Sequence, residues 1–231
     1  MNFMKNLDMV RFTRRLAIAA IVVIAIAIGG TVTTSSDDPT PTNTPTNTPT
    51  NIATPTLSVP VTVVKDSIPA YNRREWRHWI DDDRDCQNAR NEVLITESNS
   101  PVTFKTEREC QVLTGEWVTP FTNTTITNPR LLDIDHLVPL KNAHISGGWE
   151  WDAERKRSYA NNLTDPNHLI AVIAGANRSK GAKGPEEWRP PNKDYWCKYA
   201  TDWMQIKKTW ELTITPDENI ALQEMLSTCK E

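Results

Sequence analysis

The sequence predicts an α+β fold for residues 65–231. Two β-type runs, residues 131–138 and 168–172, alternate with segments whose apolar spacing and end residues are typical of helices. All four cysteines lie in this part of the chain, and an even number of cysteines in an exported protein favours disulfides. We therefore expect one mixed domain with flanking helices, stapled by two bridges.

Residues 1–38 have the composition of an export signal. Four basic side chains precede the apolar run of 13 residues at 16–28, which is the order found in signal peptides and signal anchors. Extended to residue 32, the run approaches the lower limit for a membrane-spanning helix, which is about 17 residues. A cleaved signal peptide and a retained tether through residues 16–32 both stay open. Either one predicts an extracellular protein, secreted or anchored to the outer face of the cytoplasmic membrane.

Residues 39–64 are predicted to be a disordered linker. The segment repeats PTNT, and six of the chain's 16 prolines lie in residues 39–60. With few apolar side chains it cannot bury a core, so an extended spacer is expected.

The first part of the domain gives weaker signals. Residues 71–80 predict a short helix, followed by the acidic turn DDDRD at 81–85. That turn lacks the alternating ligands and the distal Glu of a calcium-binding EF-hand loop, so a solvated turn is expected. Residues 112–118 and 121–126 predict two strands.

Stronger helix signals follow. Residues 151–163 have an Asp at their second position and contain good helix formers, which predicts a helix, and residues 173–181 predict a second helix. Residues 198–210 space their large apolar side chains three or four apart, as on one face of a helix. Thr215 begins a last helix with a capping box that ends at Glu218. Four tryptophans in the C-terminal part are expected to be core residues and not a platform for stacked bases: Trp188, Trp196, Trp203 and Trp210.

Four polar residues beside the two β-type runs form a pattern typical of a catalytic site. Asp135 and His136 end the first β-type run, and Asn177 and Lys180 follow the second. A histidine can act as a general base near neutral pH, and a carboxylate plus an amide oxygen suit Mg²⁺. Chain neighbours on a strand point to opposite faces, so both can reach one site only if the strand ends there, as Pro139 suggests. The layout is that of a one-metal phosphodiesterase site.

The segments DIDHLVPL, HLIAVIAGANRSKG and PEEWRPP together resemble the HNH (His-Me finger, ββα-metal) endonucleases, most closely their small secreted bacterial branch. The resemblance implies a ββα-metal core and hydrolysis of phosphodiester bonds in DNA, with RNA as a second option. It implies His136 as general base, and Asp135 and Asn177 as ligands of Mg²⁺ or Mn²⁺. Lys180 is a further expected catalytic group, and the products would carry a 5′-phosphate.

His168 is where the sequence departs from this family. The central Asn of the HNH pattern lies nine residues before Asn177, and that position here is His168. We expect His168 to contribute to catalysis by holding backbone near the general base, as the Asn does in the family. The competing interpretation makes it a third metal ligand, which would favour a softer ion. The other two histidines, His78 and His144, lie outside the motifs and are expected to be structural.

Charge and cysteine pairing complete the expectations. Residues 1–38 carry four basic and three acidic groups, so the formal charge of −3 for the chain leaves −4 for residues 39–231. Nucleic acid would then need a local basic patch, and we expect Arg157 and Arg178 to bind substrate. The residues considered for this patch are Arg155, Lys156, Arg157, Arg178, Lys180 and Lys183.

Four cysteines allow three pairings. We choose Cys86–Cys110 and Cys197–Cys229, because each bridge then closes a segment beside the site without crossing it. An alternative function also stays open. The same scaffold could serve as a non-catalytic exported module that binds nucleic acid or a cell-wall polymer.

Overall fold

The computed structural model describes residues 59–62 and 67–230, which fall within one unit, Ile52–Glu231. The predicted export signal and most of the predicted linker lie outside the described residues. Among the residues that are described, no helix is long and apolar enough to cross a membrane.

Six short strands form three antiparallel pairs, β1 with β2, β3 with β4, and β5 with β6. Together with the helices they confirm the predicted α+β class. The strands are β1 (Thr103–Phe104), β2 (Val112–Thr114), β3 (Trp117–Thr119), β4 (Thr124–Ile126), β5 (Leu132–His136) and β6 (Leu169–Ile173).

The α-helices lie mainly in the second half of the domain. Short 3-10 turns connect several of them, including one at Arg73–Glu75. The helices are α1 (Ala89–Thr96), α2 (Leu140–Ile145), α3 (Ala153–Ala160), α4 (Ala174–Lys180), α5 (Trp196–Thr209) and α6 (Pro216–Leu226).

The β5–β6 ribbon separates two apolar clusters. Ile170 and Val172 pack in the larger cluster, whereas Leu132 and Ile134 pack in the smaller one with α1 and β3. Asp133 lies opposite Val172 and Asp135 opposite Ile170. Because paired residues project to the same face of a ribbon, both carboxylates point toward the larger cluster. That face is the one that α4 contacts.

The C-terminal helices close the larger cluster. Trp203 and Ile206 of α5 are fully buried. A buried ion pair, Lys207 Nζ to Glu218 Oε1 at 2.6 Å, joins α5 to α6. The predicted capping box is confirmed, since Thr215 and Glu218 each bond the other's backbone.

Both disulfides join the cysteines that were paired from the sequence. The Cys86–Cys110 bridge ties the acidic turn to the segment before β2. The Cys197–Cys229 bridge ties the start of α5 to the end of the described chain. In the chain-entropy model, loops of this size each contribute roughly 3.5 kcal/mol to stability.

Local predictions in the first third of the domain were less accurate. The short helix predicted over residues 71–80 is wrong, because only the 3-10 turn at Arg73–Glu75 forms. The strand predicted over 112–118 is broken at Gly115 into β2 and β3, which pair with different partners. A Cβ at Gly115 would lie 2.6 Å from the Trp117 ring, so only glycine fits at this break.

The packed domain also begins earlier than the predicted boundary at residue 65. Val59 is buried, and Thr62 donates its backbone N–H to the Ile214 carbonyl at 2.9 Å. Ile214 donates in turn to Pro60 at 3.1 Å. Residues 59–62 therefore pack on the domain, although they were assigned to the linker.

Candidate active site

A cleft of about 300 Å³ lies where β5 ends and α4 passes. Residues from both sequence motifs line it, among them Asp135, His136, Asn177 and Arg178. Arg73, from the 3-10 turn at the start of the domain, lines the same cleft. The fold therefore brings both motifs to one place, about 40 residues apart in the chain.

His136 is held in one tautomer. Its Nε2 lies 2.9 Å from the carbonyl oxygen of Ala160. A carbonyl only accepts hydrogen bonds, so Nε2 carries the proton and Nδ1 is the bare nitrogen. No described residue hydrogen-bonds Nδ1. Burial lowers the pKa of His136 well below its ordinary value, and the nearby His168 acts in the same direction.

Aromatic rings fix the orientation of the His136 ring. Tyr159 stacks parallel to it at 6.5 Å between centroids, and Trp79 lies at 5.6 Å on a tilted plane. Trp79 has a φ of 59°, an uncommon backbone conformation for a bulky residue. The next residue secures it, since Ile80 donates its N–H to Asn161 at 3.0 Å.

His168 lies behind His136 and does not line the cleft. Its Nε2 donates to the Tyr159 carbonyl at 2.7 Å, so His136 and His168 bond consecutive carbonyls at the end of α3. His168 is 1% exposed, and burial lowers its pKa to about 4. Its Nδ1 is buried without a hydrogen-bond partner among the described residues. The position matches a residue that holds backbone near the base, and not a group that contacts substrate.

Lys180 is fully buried and pairs with Asp135. Its Nζ lies 2.6 Å from Oδ2 of Asp135 and donates to the His136 carbonyl at 3.0 Å. Burial raises the pKa of Asp135 and lowers the pKa of Lys180, while the attraction between the two charges opposes both shifts. Lys180 was predicted as a catalytic group. Its burial keeps it from touching a substrate, so it can act only by positioning Asp135 and the backbone of His136.

Asp133 is a site residue that sequence reasoning missed. Its Oδ2 accepts a hydrogen bond from Nδ2 of Asn177 at 3.1 Å. An ionised carboxylate only accepts, so the amide nitrogen faces Asp133 and the amide oxygen of Asn177 is left for another partner. The available signal was spacing, because Asp133 precedes Asp135 by two and shares its face of β5.

The predicted basic patch does not form. Lys156 and Lys180 are buried, and Arg157 pairs with Asp82 and Glu154 outside the cleft. The substrate contact predicted for Arg157 is therefore not supported by its position. Arg178 does line the cleft and is exposed, with its Nε 3.9 Å from Asp133.

Two further histidines differ in their placement. His144 is buried and bonds the Pro69 carbonyl at 2.8 Å, in keeping with a structural role. His78 was also expected to be structural, yet its ring lies 6.4 Å from that of His136. The sequence could not place His78 here, because its segment lies nearly 60 residues before the motif.

The acidic turn at 81–85 is exposed. The carboxylates of Asp81, Asp83 and Asp85 lie within 4.8 Å of one another. Each also accepts a backbone N–H from two to five residues on, at 3.0 Å, 3.4 Å and 2.7 Å respectively. The bonds of Asp83 and Asp85, each to the N–H two residues on, are typical of Asx turns, as expected for a solvated turn.

The residues of the cleft suit a hard divalent cation. Only one oxygen of Asp135 is engaged by Lys180, and the amide oxygen of Asn177 is free of described partners. One carboxylate oxygen and one amide oxygen, completed by water and phosphate, form the donor set that Mg²⁺ prefers. Within the described residues, no group of three His, Cys, Asp or Glu ligands gathers at this cleft.

Comparison with known proteins places the chain in a family. The model of the C-terminal domain of GmrSD restriction endonucleases matches residues 82–225. A relative from Arthroderma benhamiae, described as an uncharacterized secreted protein, is 38% identical over 159 residues, which is 69% of this chain and 76% of the relative. No solved structure matches the chain. Because the family match spans more than half of its residues, the chain belongs to the family of the GmrSD restriction endonuclease C-terminal domain.

Proposed function

We propose that the chain is an exported, metal-dependent endonuclease of the HNH type that hydrolyses phosphodiester bonds of DNA, with RNA as a second substrate. The proposal rests on one observation at His136. This residue has an unprotonated Nδ1 and lines the same cleft as Asp135 and Asn177. The family supports the same reading, because its name is that of restriction endonucleases.

In this proposal His136 is the general base. Its Nδ1 takes a proton from a water molecule as the water oxygen attacks phosphorus. Burial lowers the pKa of His136, so the ring is neutral and ready to accept that proton at neutral pH. The Nε2–H bond to Ala160 keeps the ring in the required tautomer throughout. As the bond from the water oxygen to phosphorus forms, the bond from phosphorus to the 3′ oxygen breaks, and that oxygen takes a proton from solvent, which gives a 5′-phosphate and a 3′-hydroxyl.

Asp135 and Asn177 would hold the divalent cation, Mg²⁺ or Mn²⁺. When bound, the cation neutralises charge on the phosphate and on the leaving oxygen. Lys180 donates a hydrogen bond to Oδ2 of Asp135 and so fixes this carboxylate. Asp133 accepts a hydrogen bond from the amide nitrogen of Asn177, so the amide oxygen points away from Asp133. Each ligand is therefore fixed by a charged partner, as is typical of metal sites.

An extracellular location is part of the proposal. The two disulfides and the secreted fungal relative both support it. The relative is fungal, so the resemblance to a bacterial branch does not identify the source of the chain. N-terminal sequencing of the exported protein distinguishes a cleaved signal at residues 16–32 from a retained tether.

Cleavage of plasmid DNA by the purified domain tests the proposal. We expect nicking and linearisation with Mg²⁺ or Mn²⁺, no cleavage in excess EDTA, and none by His136→Ala. A parallel assay with single-stranded RNA measures the second substrate. A chain that binds DNA but cuts neither substrate under any of these conditions would be the binding module considered as the alternative.

A further inference from the structure

We propose that Arg73 binds the substrate phosphate in this cleft, and that His78 is the residue that positions Arg73. The inference deepens the proposed function and rests on it for the reaction. The ligand class is a phosphodiester of a nucleic-acid backbone, contacted through its non-bridging oxygens.

The turn that carries Arg73 is firmly anchored. Trp76, directly after the turn, is fully buried, and Glu75 pairs with Lys156 at 2.9 Å. Asn72 caps the turn through its side chain at 3.1 Å. The family match begins at residue 82, so this wall of the cleft comes from a segment that precedes the matched domain.

Hydrogen bonds define how His78 meets Arg73. His78 Nδ1 lies 2.8 Å from the Trp76 carbonyl, which can only accept, so Nδ1 carries the proton. The remaining nitrogen, Nε2, is therefore an acceptor and lies 3.4 Å from Nη2 of Arg73. The contact between Arg73 and His78 is long. Because the His78 ring neighbours the His136 ring, it directs one edge of the guanidinium toward the side of the cleft where His136 lies.

Among the described residues Arg73 pairs with no carboxylate, and its guanidinium acts against the rise that burial causes in the pKa of the neighbouring Tyr71 hydroxyl. Arg155, Arg157 and Arg189 each pair with a carboxylate. In the part of the chain that the structure describes, Arg73 has no such ion pair, and its side chain lines the cleft. A planar guanidinium matches the two non-bridging oxygens of a phosphate, which it can bind in a bidentate manner.

Arg73 is better placed for this contact than the other cations of the cleft. Arg178 already lies 3.9 Å from Asp133, on the α4 side. Lys141 offers only a point charge. The positive charge of Arg73 is also close enough to His136 to reinforce the lowering of its pKa by burial and His168. A phosphate bound by Arg73 would thus lie beside the general base.

The test compares Arg73→Gln, Arg73→Lys and the matched control Arg74→Gln, whose wild-type side chain neighbours Arg73 but does not line the cleft. Cleavage of a labelled duplex should fall about a hundredfold in Arg73→Gln, less in Arg73→Lys, and less than about twofold in Arg74→Gln. Circular dichroism and melting temperature check that each variant is folded.

Binding gives a second readout that needs no catalysis. In the His136→Ala background with EDTA, fluorescence anisotropy of a short duplex should show affinity reduced about tenfold by Arg73→Gln. The slope of log K against log salt should shrink by about 0.9, the value for one lost phosphate contact. His78→Ala should weaken cleavage alone but add little in the Arg73→Gln background, because the two residues act as a unit.

The outcomes separate the two proposals. Equal behaviour of Arg73→Gln and Arg74→Gln in an active enzyme overturns the role of Arg73 and leaves the nuclease proposal standing. A wild-type chain that cuts nothing but binds duplex through Arg73 overturns the nuclease proposal and keeps the phosphate contact. Additive effects of His78→Ala and Arg73→Gln overturn the positioning role of His78. A chain with neither cleavage nor binding overturns both proposals.

Discussion

The ammonium of Lys180 lies 2.6 Å from Oδ2 of Asp135, and the two side chains are 0% and 6% exposed. The same ammonium donates to the backbone carbonyl of His136 at 3.0 Å. One buried cation therefore fixes both the carboxylate expected to bind metal and the backbone of the expected base. A pair buried this deeply makes each charge dependent on the other.

Removing Lys180 should destabilise the fold strongly. Lys180→Met leaves the Asp135 carboxylate buried without its counter-ion, which typically costs about 3–5 kcal/mol in the free energy of unfolding. The double variant Asp135→Asn/Lys180→Met should recover a large part of that loss, because no unpaired charge remains. Urea unfolding in EDTA measures both values.

Lys183→Met is the matched control, since Lys183 is exposed three residues further on. It should change the free energy of unfolding by less than about 0.5 kcal/mol. If Lys180→Met were as mild as the control, the buried pair would not be present in solution.

Parts of the fold could be predicted because their signals are local. The capping box at Thr215 and Glu218 needs only a four-residue pattern, and both of its bonds form. The strand over 131–138 and the helix over 198–210 follow from periodicity, and β5 and α5 occupy them. Such features depend on neighbours in the chain.

The rest depends on contacts between distant segments, which spacing does not encode. The sequence marks Lys180 as a charged residue, and only the packing of α4 on β5 shows that it is buried against Asp135. Arg73 reaches the cleft, and His78 comes to lie near His136, because Trp76 between them is buried in the larger cluster. The α2 helix, which was not predicted, begins directly after Pro139, because its N-terminal residue Leu140 packs into the larger cluster.

His136→Ala should abolish cleavage while leaving metal binding intact. Loss of a general base commonly lowers the rate at least a hundredfold. The proposed metal ligands, Asp135 and Asn177, are untouched, so a Mn²⁺ titration by calorimetry should give an affinity close to that of the wild type. Asp135→Ala should show the reverse order, losing metal affinity first. Weakened metal binding in His136→Ala would make the histidine a ligand and not the base.

The pH dependence of cleavage follows from the lowered pKa of His136. The base must be neutral, and burial moves its pKa well below the ordinary value of 6.5. The rate should therefore stay nearly constant as pH falls from about 7.5 to about 6.5, and decline only at lower pH. Single-turnover rates at saturating metal measure this profile. An ascending limb centred at or above 6.5 would show that His136 is solvated in the working enzyme.

His168 should tolerate asparagine better than alanine. Among the described residues, its side chain makes one hydrogen bond, from Nε2 to the Tyr159 carbonyl, beside the carbonyl that holds His136. An Asn amide can donate the same bond, so His168→Asn should keep most of the cleavage rate. His168→Ala should lose about tenfold to a hundredfold, the range for partners that orient a site.

Metal titration distinguishes the competing role of His168. If His168 acts through backbone, the apparent affinities for Mg²⁺ and Mn²⁺ should be the same in wild type, His168→Asn and His168→Ala. A loss of metal affinity in His168→Asn as large as in Asp135→Ala would identify His168 as a ligand, contrary to its position behind the cleft.

Glu97 should make the fold less stable at high pH. Its Oε2 accepts the backbone N–H of Ala171 in β6 at 2.8 Å, and burial raises its pKa to about 7. Between the ordinary value of 4.5 and about 7, the native state therefore holds more protons than the unfolded state. The contribution of Glu97 to the free energy of unfolding consequently falls as pH rises through this window, by about 1–3 kcal/mol.

Glu97→Gln keeps an acceptor for Ala171 and cannot ionise, so it should be more stable than wild type at about pH 8 and similar at about pH 4.5. Urea unfolding at the two pH values measures the difference, with the exposed Glu116→Gln as control. A gain that is larger at the lower pH would mean that Glu97 is already ionised in the native state.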